Sequence, residues 1–254
     1  MRPILPAIHP AILILAALLC AQPLHAQDVD DFESDPAPTR SAGGIFGAGG
    51  AVTPIWFMPN MDVTNAELAR LGFPALPTGG MFMLGGRGYA YIIIVPNLRV
   101  GGMGAGTSVT AERTSGSLRE ASSMSTAFGG VTLEYVVPFG RFHLAAGGLL
   151  GWGSRTLTLQ RAPVGDKSWP GAPGAPVGEE HRVYANSYLA WQPWLTAEYE
   201  ISPFVVAGLT GGWYGTSGST WTLNDHFPVT GMPDFKSDGP FLRLDLTIGL
   251  FIGE

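Results

Sequence analysis

The stretch FLRLDLTIGLFIGE near the C-terminus alternates with a period of two: Leu242, Leu244, Leu246, Ile248, Leu250 and Ile252 share one parity, and Arg243, Asp245, Thr247 and Gly249 share the other. Successive side chains of an extended strand point to opposite faces, so the pattern predicts a strand with one apolar and one polar face. A soluble sandwich strand alternates too. Here the alternation lasts long enough to cross a bilayer at a tilt of about 45°, which takes roughly 9 to 11 residues. The same element recurs along the rest of the chain.

Composition narrows the class. Of 254 residues only 13% are charged and 46% are hydrophobic, yet beyond the first 26 no apolar run approaches the ~18 residues of a spanning helix. Glycine, at 36 residues, is too frequent for long helices and suits closely packed strands.

The first residues read as an export signal. Arg2 supplies the positive region, Ala11 to Ala21 the apolar region, and Leu24-His25-Ala26 a small-residue exit, so cleavage is expected after Ala26. A lipid anchor at Cys20 fits less well because Leu19 is bulky for such processing. Loss of residues 1–26 removes the sole cysteine together with one positive charge, Arg2, and no acid, taking the net charge from −6 to −7. That balance gives nucleic acid no purchase as a partner. Residues 27–43 hold five of the 20 acids between Asp28 and Asp35 and read as an acidic, flexible lead-in.

From residue 44 the chain reads as strands, interrupted by one short helix over about 62–72. Thr64 to Glu67 has the form of a TxxE capping box, Val63 and Leu68 stand where a hydrophobic staple would, and Gly72 and Pro74 supply the stop. The helix is expected to be a lid over the barrel mouth or a compact loop over apolar surface. Pro193, inside an otherwise regular strand, predicts a bulge or a weak pairing. Tight turns at Val95-Pro96-Asn97, around Gly140 and at Ser202-Pro203 alternate with longer connections at 57–80, 114–119, 162–180 and 216–238. Short turns at one end and longer loops at the other are the asymmetry of outer-membrane barrels. A soluble ligand-binding barrel would carry many more charges on its outer face. Phe82, Tyr135, Phe142, Trp152, Tyr199, Trp213 and Phe241 are expected near strand ends as aromatic girdles.

The expected fold class is therefore all-β, an antiparallel up-and-down transmembrane β-barrel of about eight strands over residues 44–254, with a short helix in the first long loop. In this pattern the chain resembles the small eight-stranded outer-membrane barrels typified by the OmpA transmembrane domain. It departs from them at its end, where Ile252 holds the outward slot usually taken by an aromatic and Phe251 has the opposite parity. The resemblance implies outer-membrane lipid and the barrel-assembly machinery as partners and the cell outer membrane as location.

Inside such a barrel, counting from the tight turns sets Arg99, Glu134, His143 and Glu198 at one level near the periplasmic end, Arg87 and Asp245 nearer the middle, and Arg155 and Arg243 towards the outer end. An eight-stranded barrel is just wide enough for its side chains to fill, so opposite charges at one level should pair. With one arginine between two glutamates, His143 is the natural group to share the surplus negative charge. A catalytic Glu-His pair is the rival reading, but Ser, His and acidic residues fall into no nucleophile arrangement. His181, beside Glu179 and Glu180, and His226, beside Asp225, lie in expected loops and are too few for a metal site. No phosphate loop or dinucleotide fingerprint is present, so no catalytic, cofactor or metal residues are assigned and no cofactor is expected. The leading function is a non-enzymatic outer-membrane barrel that anchors surface loops or contributes to membrane structure. The second is a small-solute pore or apolar-ligand carrier, for which Ala145, Gly147, Gly208 and Gly212 would leave room for water. The third is a lipid-modifying barrel enzyme.

Overall fold

The computed structural model describes residues 46–165, 180–224, 226–233, 235 and 237–252. The expected signal, the acidic lead-in and most of the 162–180 connection lie outside them.

Nine strands form one antiparallel sheet: β1 (Phe46–Phe57), β2 (Met81–Tyr91), β3 (Leu98–Ser115), β4 (Leu118–Phe139), β5 (Phe142–Pro163), β6 (Glu180–Ser202), β7 (Val205–Leu223), β8 (Phe227–Val229) and β9 (Gly239–Ile252). Each strand from β1 to β7 pairs with the next, β7 pairs with β9, and β9 pairs with β1 from Phe46↔Ile252 to Phe57↔Phe241. Eight strands thus close a ring, which removes the open edges of the sheet. The three-residue β8 stands outside the ring, paired to β7 through Trp221↔Val229.

The period-two pattern decides which face is the wall. Leu242, Leu244, Leu246, Ile248 and Leu250 point out, whereas Arg243, Asp245 and Thr247 are buried inside. Likewise Val131, Leu133, Tyr135 and Val137 of β4 and Leu144, Leu150 and Trp152 of β5 are exposed, and Thr132, Glu134 and His143 are buried. Six of the seven expected girdle aromatics are exposed on this outer face. Phe241 is not: it precedes Leu242 and so has the inward parity, with only 3% of its surface exposed.

The strands differ in length, and this corrects several expected connections. β1 and β2 have 12 and 11 residues, but β4, β5 and β6 have 22, 22 and 23, about twice the span a bilayer requires. The connection expected at 114–119 is a hairpin turn on Gly116 and Ser117, because β3 and β4 stay paired as far as Ser115↔Leu118. β7 similarly continues to Leu223, beyond the expected break at 216. At the opposite end β2 stops at Tyr91, so the turn is longer than Val95-Pro96-Asn97 and takes in Ile92 and Ile94. Pro96 has no N–H to donate, and Asn97, with φ of 64°, leaves extended geometry, so the chain reverses over Ile92–Asn97.

Around Pro193 no bulge forms. The register is the same at Trp191↔Gly215 and Trp194↔Gly212, with the ladder interrupted between them, and the two β6–β7 shifts lie instead between Ser187 and Leu189 and between Glu200 and Ser202. Proline thus costs local pairing on its β7 side without an added residue.

Helix α1 (Asp62–Arg70) lies in the β1–β2 connection, but not with the expected cap. Thr64 is already inside the helix and buried, Glu67 pairs with Arg70, and the Asp62 N–H donates to Asn60 Oδ1 at 2.9 Å. Val63 is exposed and Leu68 fully buried, so they form no staple. Burial of Met61, Leu68, Phe73 and Leu76 against the barrel interior fixes the helix start more strongly than the local TxxE pattern does. Gly72, with φ of +79°, permits the chain reversal that ends it.

Candidate functional site

Inward parity on β2, β3, β4, β6 and β9 brings six charged side chains into one buried network at the tight-turn end. Arg99 donates from Nη1 and Nη2 to Glu198 at 3.0 and 2.6 Å and from Nε to Glu134. Arg87 donates to Glu134 at 2.7 Å and lies 3.5 Å from Asp245, which in turn accepts from Arg243 Nε at 2.9 Å. Trp194 Nε1 adds a 2.7 Å bond to Glu134, and Thr210 Oγ1 a 3.1 Å bond to Asp245. Tyr89 lies under both Arg87 and Arg99, with guanidinium carbons 4.9 and 4.3 Å from its ring centroid.

Arg243, expected towards the outer end, belongs to this network through Asp245. Three arginines therefore face three carboxylates, and the surplus negative charge assigned to His143 disappears. His143 is buried opposite Glu198 in the β5–β6 register and enters none of these ion pairs. Tyr89, Trp194 and Thr210 join the layer beyond the residues expected there, and their inward parity, shared with the charged residues, is the signal in the sequence that places them.

The small inward residues make room for neighbours. A Cβ on Gly147 would fall 2.4 Å from Glu134 Cγ, and one on Gly212 would fall 2.5 Å from the Pro193 carbonyl oxygen and 2.8 Å from the Phe241 ring. On Gly208 it would meet Glu198 and Asp245 at 3.4 and 3.5 Å, and Ala145 packs against Tyr89, Tyr91 and Val136. Towards the loop end the lumen becomes apolar, filled by Ile55, Phe57, Met83, Met103, Phe128 and Tyr214. Phe57 and Phe128 each pack on Tyr214, with centroids 5.1 and 5.2 Å apart. The gap among Ile55, Phe57, Met83, Phe128, Tyr214 and Phe241 measures about 10 Å³, no more than one water.

The connection carrying α1 covers the loop-end mouth. Glu120 on β4 bridges Arg113 on β3, at 2.5 Å, and Arg161 on β5, at 3.0 Å. These arginines reach the carbonyls that end the helix: Arg113 donates to Gly72 O at 2.7 Å and Arg161 to Leu71 O at 3.5 Å. Cations at a helix C-terminus also meet the negative end of its dipole. Hydrogen bonds from Arg113, opposed by partial burial and reinforced by Arg161, hold the Glu120 carboxyl below its ordinary pKa. Asn65 further ties the helix to Leu76 by a two-point bond, 3.0 and 2.8 Å. Between α1, β5, β6 and residues 229–233 and 235 opens a cavity of about 220 Å³.

Arg155 stands apart from the charge network. It is buried in the outer half, with its guanidinium 5.1 Å from the Tyr188 ring centroid and Nη1 donating to the Phe235 carbonyl. His181 contacts Gln160 at 3.0 Å and His226 the Asn224 carbonyl at 2.5 Å. Among the described residues no group of three His, Cys, Asp or Glu gathers at a metal-binding distance.

No family model matches the chain, and no curated protein matches it. Among solved structures it is similar to Ail, the attachment invasion locus protein of Yersinia pestis, in complex with the heparin analogue sucrose octasulfate, at 10% identity over 82% of this chain and 99% of that one, with a TM-score of 0.35. It is also similar to a major outer membrane protein from Thermus thermophilus (10% identity, 81% and 99% covered, TM-score 0.41) and to outer membrane protein AlkL in DMPC bilayers (12%, 87% and 98%, 0.30). The architecture rests on the chain's own geometry. An even antiparallel ring, an apolar outer wall carrying exposed aromatics and a polar interior are the features of a small β-barrel of outer-membrane type.

Proposed function

We propose that the chain is an integral outer-membrane protein whose lumen is closed and whose work is done at the loop end, where long strands project a capped surface beyond the bilayer. The observation that carries this reading is the inversion of polarity across the wall: Leu246 is 54% exposed on the outside, while its neighbour Asp245 lies 4% exposed within a paired charge network. Lipid is the solvent that suits such a wall. Insertion by the barrel-assembly machinery and a periplasmic location for the tight turns follow from the same reading. A non-enzymatic role is supported by the engagement of Glu134 and Glu198 with arginines, which leaves neither as a free base.

Fractionation and labelling test it. The unheated protein should recover in outer-membrane fractions and run faster on a gel than the heated protein. With no native cysteine in the expected mature chain, Ser117→Cys should react with an impermeant maleimide on intact cells and Arg141→Cys should not. Labelling of Arg141→Cys alone would reverse the orientation, and recovery in the soluble fraction would refute the membrane assignment.

A further inference from the structure

Phe235 stands between a cavity and a buried cation. It helps wall the 220 Å³ cavity, whose apolar part is Leu68, Leu157, Leu159, Val229 and Met232 and whose lining also includes Glu67, Arg70 and Arg182. Its carbonyl accepts from Arg155, which precedes Leu157 on the inward face of β5. Arg155 is 3% exposed and forms no ion pair among the described residues, and its Nε and Nη2 have no partner. Asn186, its register partner on β6, leaves Oδ1 unfilled, and Ser237, two residues beyond Phe235, leaves Oγ unfilled.

Burying a guanidinium without a carboxylate is costly, and idle donors add to the cost. Every other inward arginine of the barrel, Arg87, Arg99 and Arg243, has an acidic partner. The free Nε–Nη2 edge of Arg155 has the fork geometry that accepts a carboxylate at two points. The adjoining cavity supplies an apolar flank for a tail in Leu68, Leu157, Leu159, Val229 and Met232, and Arg70 and Arg182 in its lining make removal of Arg155 alone the deciding control.

We propose that the outer mouth binds a small monocarboxylate with an apolar body, arylalkyl or medium-chain, its head on Arg155 with the Ser237 hydroxyl beside it as a further donor and its tail against Leu157, Leu159 and Met232. The cavity is smaller than the ~300–1,000 Å³ of sites for drug-sized molecules, which sets the ligand at about ten heavy atoms. Arg155 does not itself line the cavity, so Phe235 must yield for the head to reach it, and binding is coupled to movement of that residue. Trp221, whose ring meets Phe235 edge-on at 5.6 Å, sits where this movement would be felt. The site is independent of whether the lumen conducts.

Calorimetric titration of the full chain in lipid nanodiscs tests this with 3-phenylpropionate as probe, 3-phenylpropanol to remove the charge and acetate to remove the tail. Saturable binding of phenylpropionate is expected, at least tenfold weaker for both controls and for Arg155→Met. The Arg155→Met protein should keep its heat-dependent gel mobility and unfold at the same or a higher temperature, since an unpaired charge has gone. Met232→Trp fills the cavity from the loop and should abolish binding with Arg155 in place, which decides the matter even if Arg155→Met fails to fold. Equal binding of the alcohol, undiminished binding to either variant, or no saturable binding to the unmodified protein would overturn the proposal.

Discussion

Arg99 and Glu198, on strands three apart in the ring, meet across the lumen by two hydrogen bonds of 3.0 and 2.6 Å, with the arginine side chain wholly excluded from solvent. Removing Glu198 leaves three buried arginines facing two carboxylates, with Arg99 held by Glu134 alone. Glu198→Ala is therefore expected to lower unfolding stability by about 3 to 5 kcal/mol, whereas Arg99→Met combined with Glu198→Leu should recover most of that loss. Urea unfolding followed by tryptophan fluorescence in lipid vesicles reads both. A Glu198→Ala protein as stable as the parent would mean the pair contributes nothing.

The wall makes a positional prediction. Leu246→Arg should cost about 2 to 4 kcal/mol if the site lies at the bilayer midplane. Thr247, 2% exposed, faces the lumen, so Thr247→Arg would act by crowding and by adding a cation to a balanced network. The folded yield of each variant, compared in thin and thick bilayers, separates the two causes, because only the Leu246 effect depends on membrane depth. Free tolerance of arginine at 246 would mean that the lipid-facing side has been misassigned.

Glu134 packs over Gly147, its register partner on β5. Adding one methyl there puts a Cβ 2.4 Å from Glu134 Cγ. Gly147→Ala should cost about 1 to 3 kcal/mol by overpacking. In the Glu134→Ala background, part of that cost should vanish, and a double-mutant cycle measures the coupling. Strict additivity would show that the two positions do not meet.

The lid clamp should respond to acid. The pKa of Glu120 is lowered in the folded protein, chiefly by hydrogen bonding to Arg113, so its stabilisation is present above the unfolded carboxyl value of about 4.3 and is lost as pH falls through the lower folded value. Amide exchange at Phe73, which donates to Leu68 O at 2.8 Å, should be slow at pH 7 and accelerate, after correction for intrinsic rates, only below about pH 4. Glu120→Gln should expose this amide at neutral pH and flatten the acid response. Identical protection in the two proteins would remove Glu120 from the clamp.

Much of the barrel is legible in single residues, for a physical reason. Lipid asks only that alternate side chains be apolar, so Leu242 to Leu250 announce the wall without any knowledge of their neighbours. Arg99, Glu134 and Glu198 can likewise be grouped by counting from turns. That count breaks down for Arg243 and Asp245, since strands in a barrel are tilted and staggered, and equal distance from a turn is not equal height. The projecting ends of β3 to β7 were harder still. Beyond the bilayer the outer face turns polar, as at Thr110 and Ser123, which hydrogen-bond to each other at 3.0 Å, and the apolar parity moves inside to Met124, Leu157 and Leu159, so the outward pattern that marks the wall stops while the strands continue. Arg155 is legible as an inward cation, but that it forms no ion pair among the described residues depends on where the fold sets Phe235 and Ser237.

The closed lumen is tested most directly by single-channel recording of the purified protein in planar bilayers. With Arg87, Arg99 and Arg243 paired to Glu134, Glu198 and Asp245 and the aromatic block beyond them, no stable conductance steps should appear, and Glu134→Ala should lower unfolding stability as it strips partners from Arg87 and Arg99. Steady channels in the unmodified protein, with an ion selectivity that Glu134→Ala changes while unfolding stays the same, would contradict the account and make the barrel a pore.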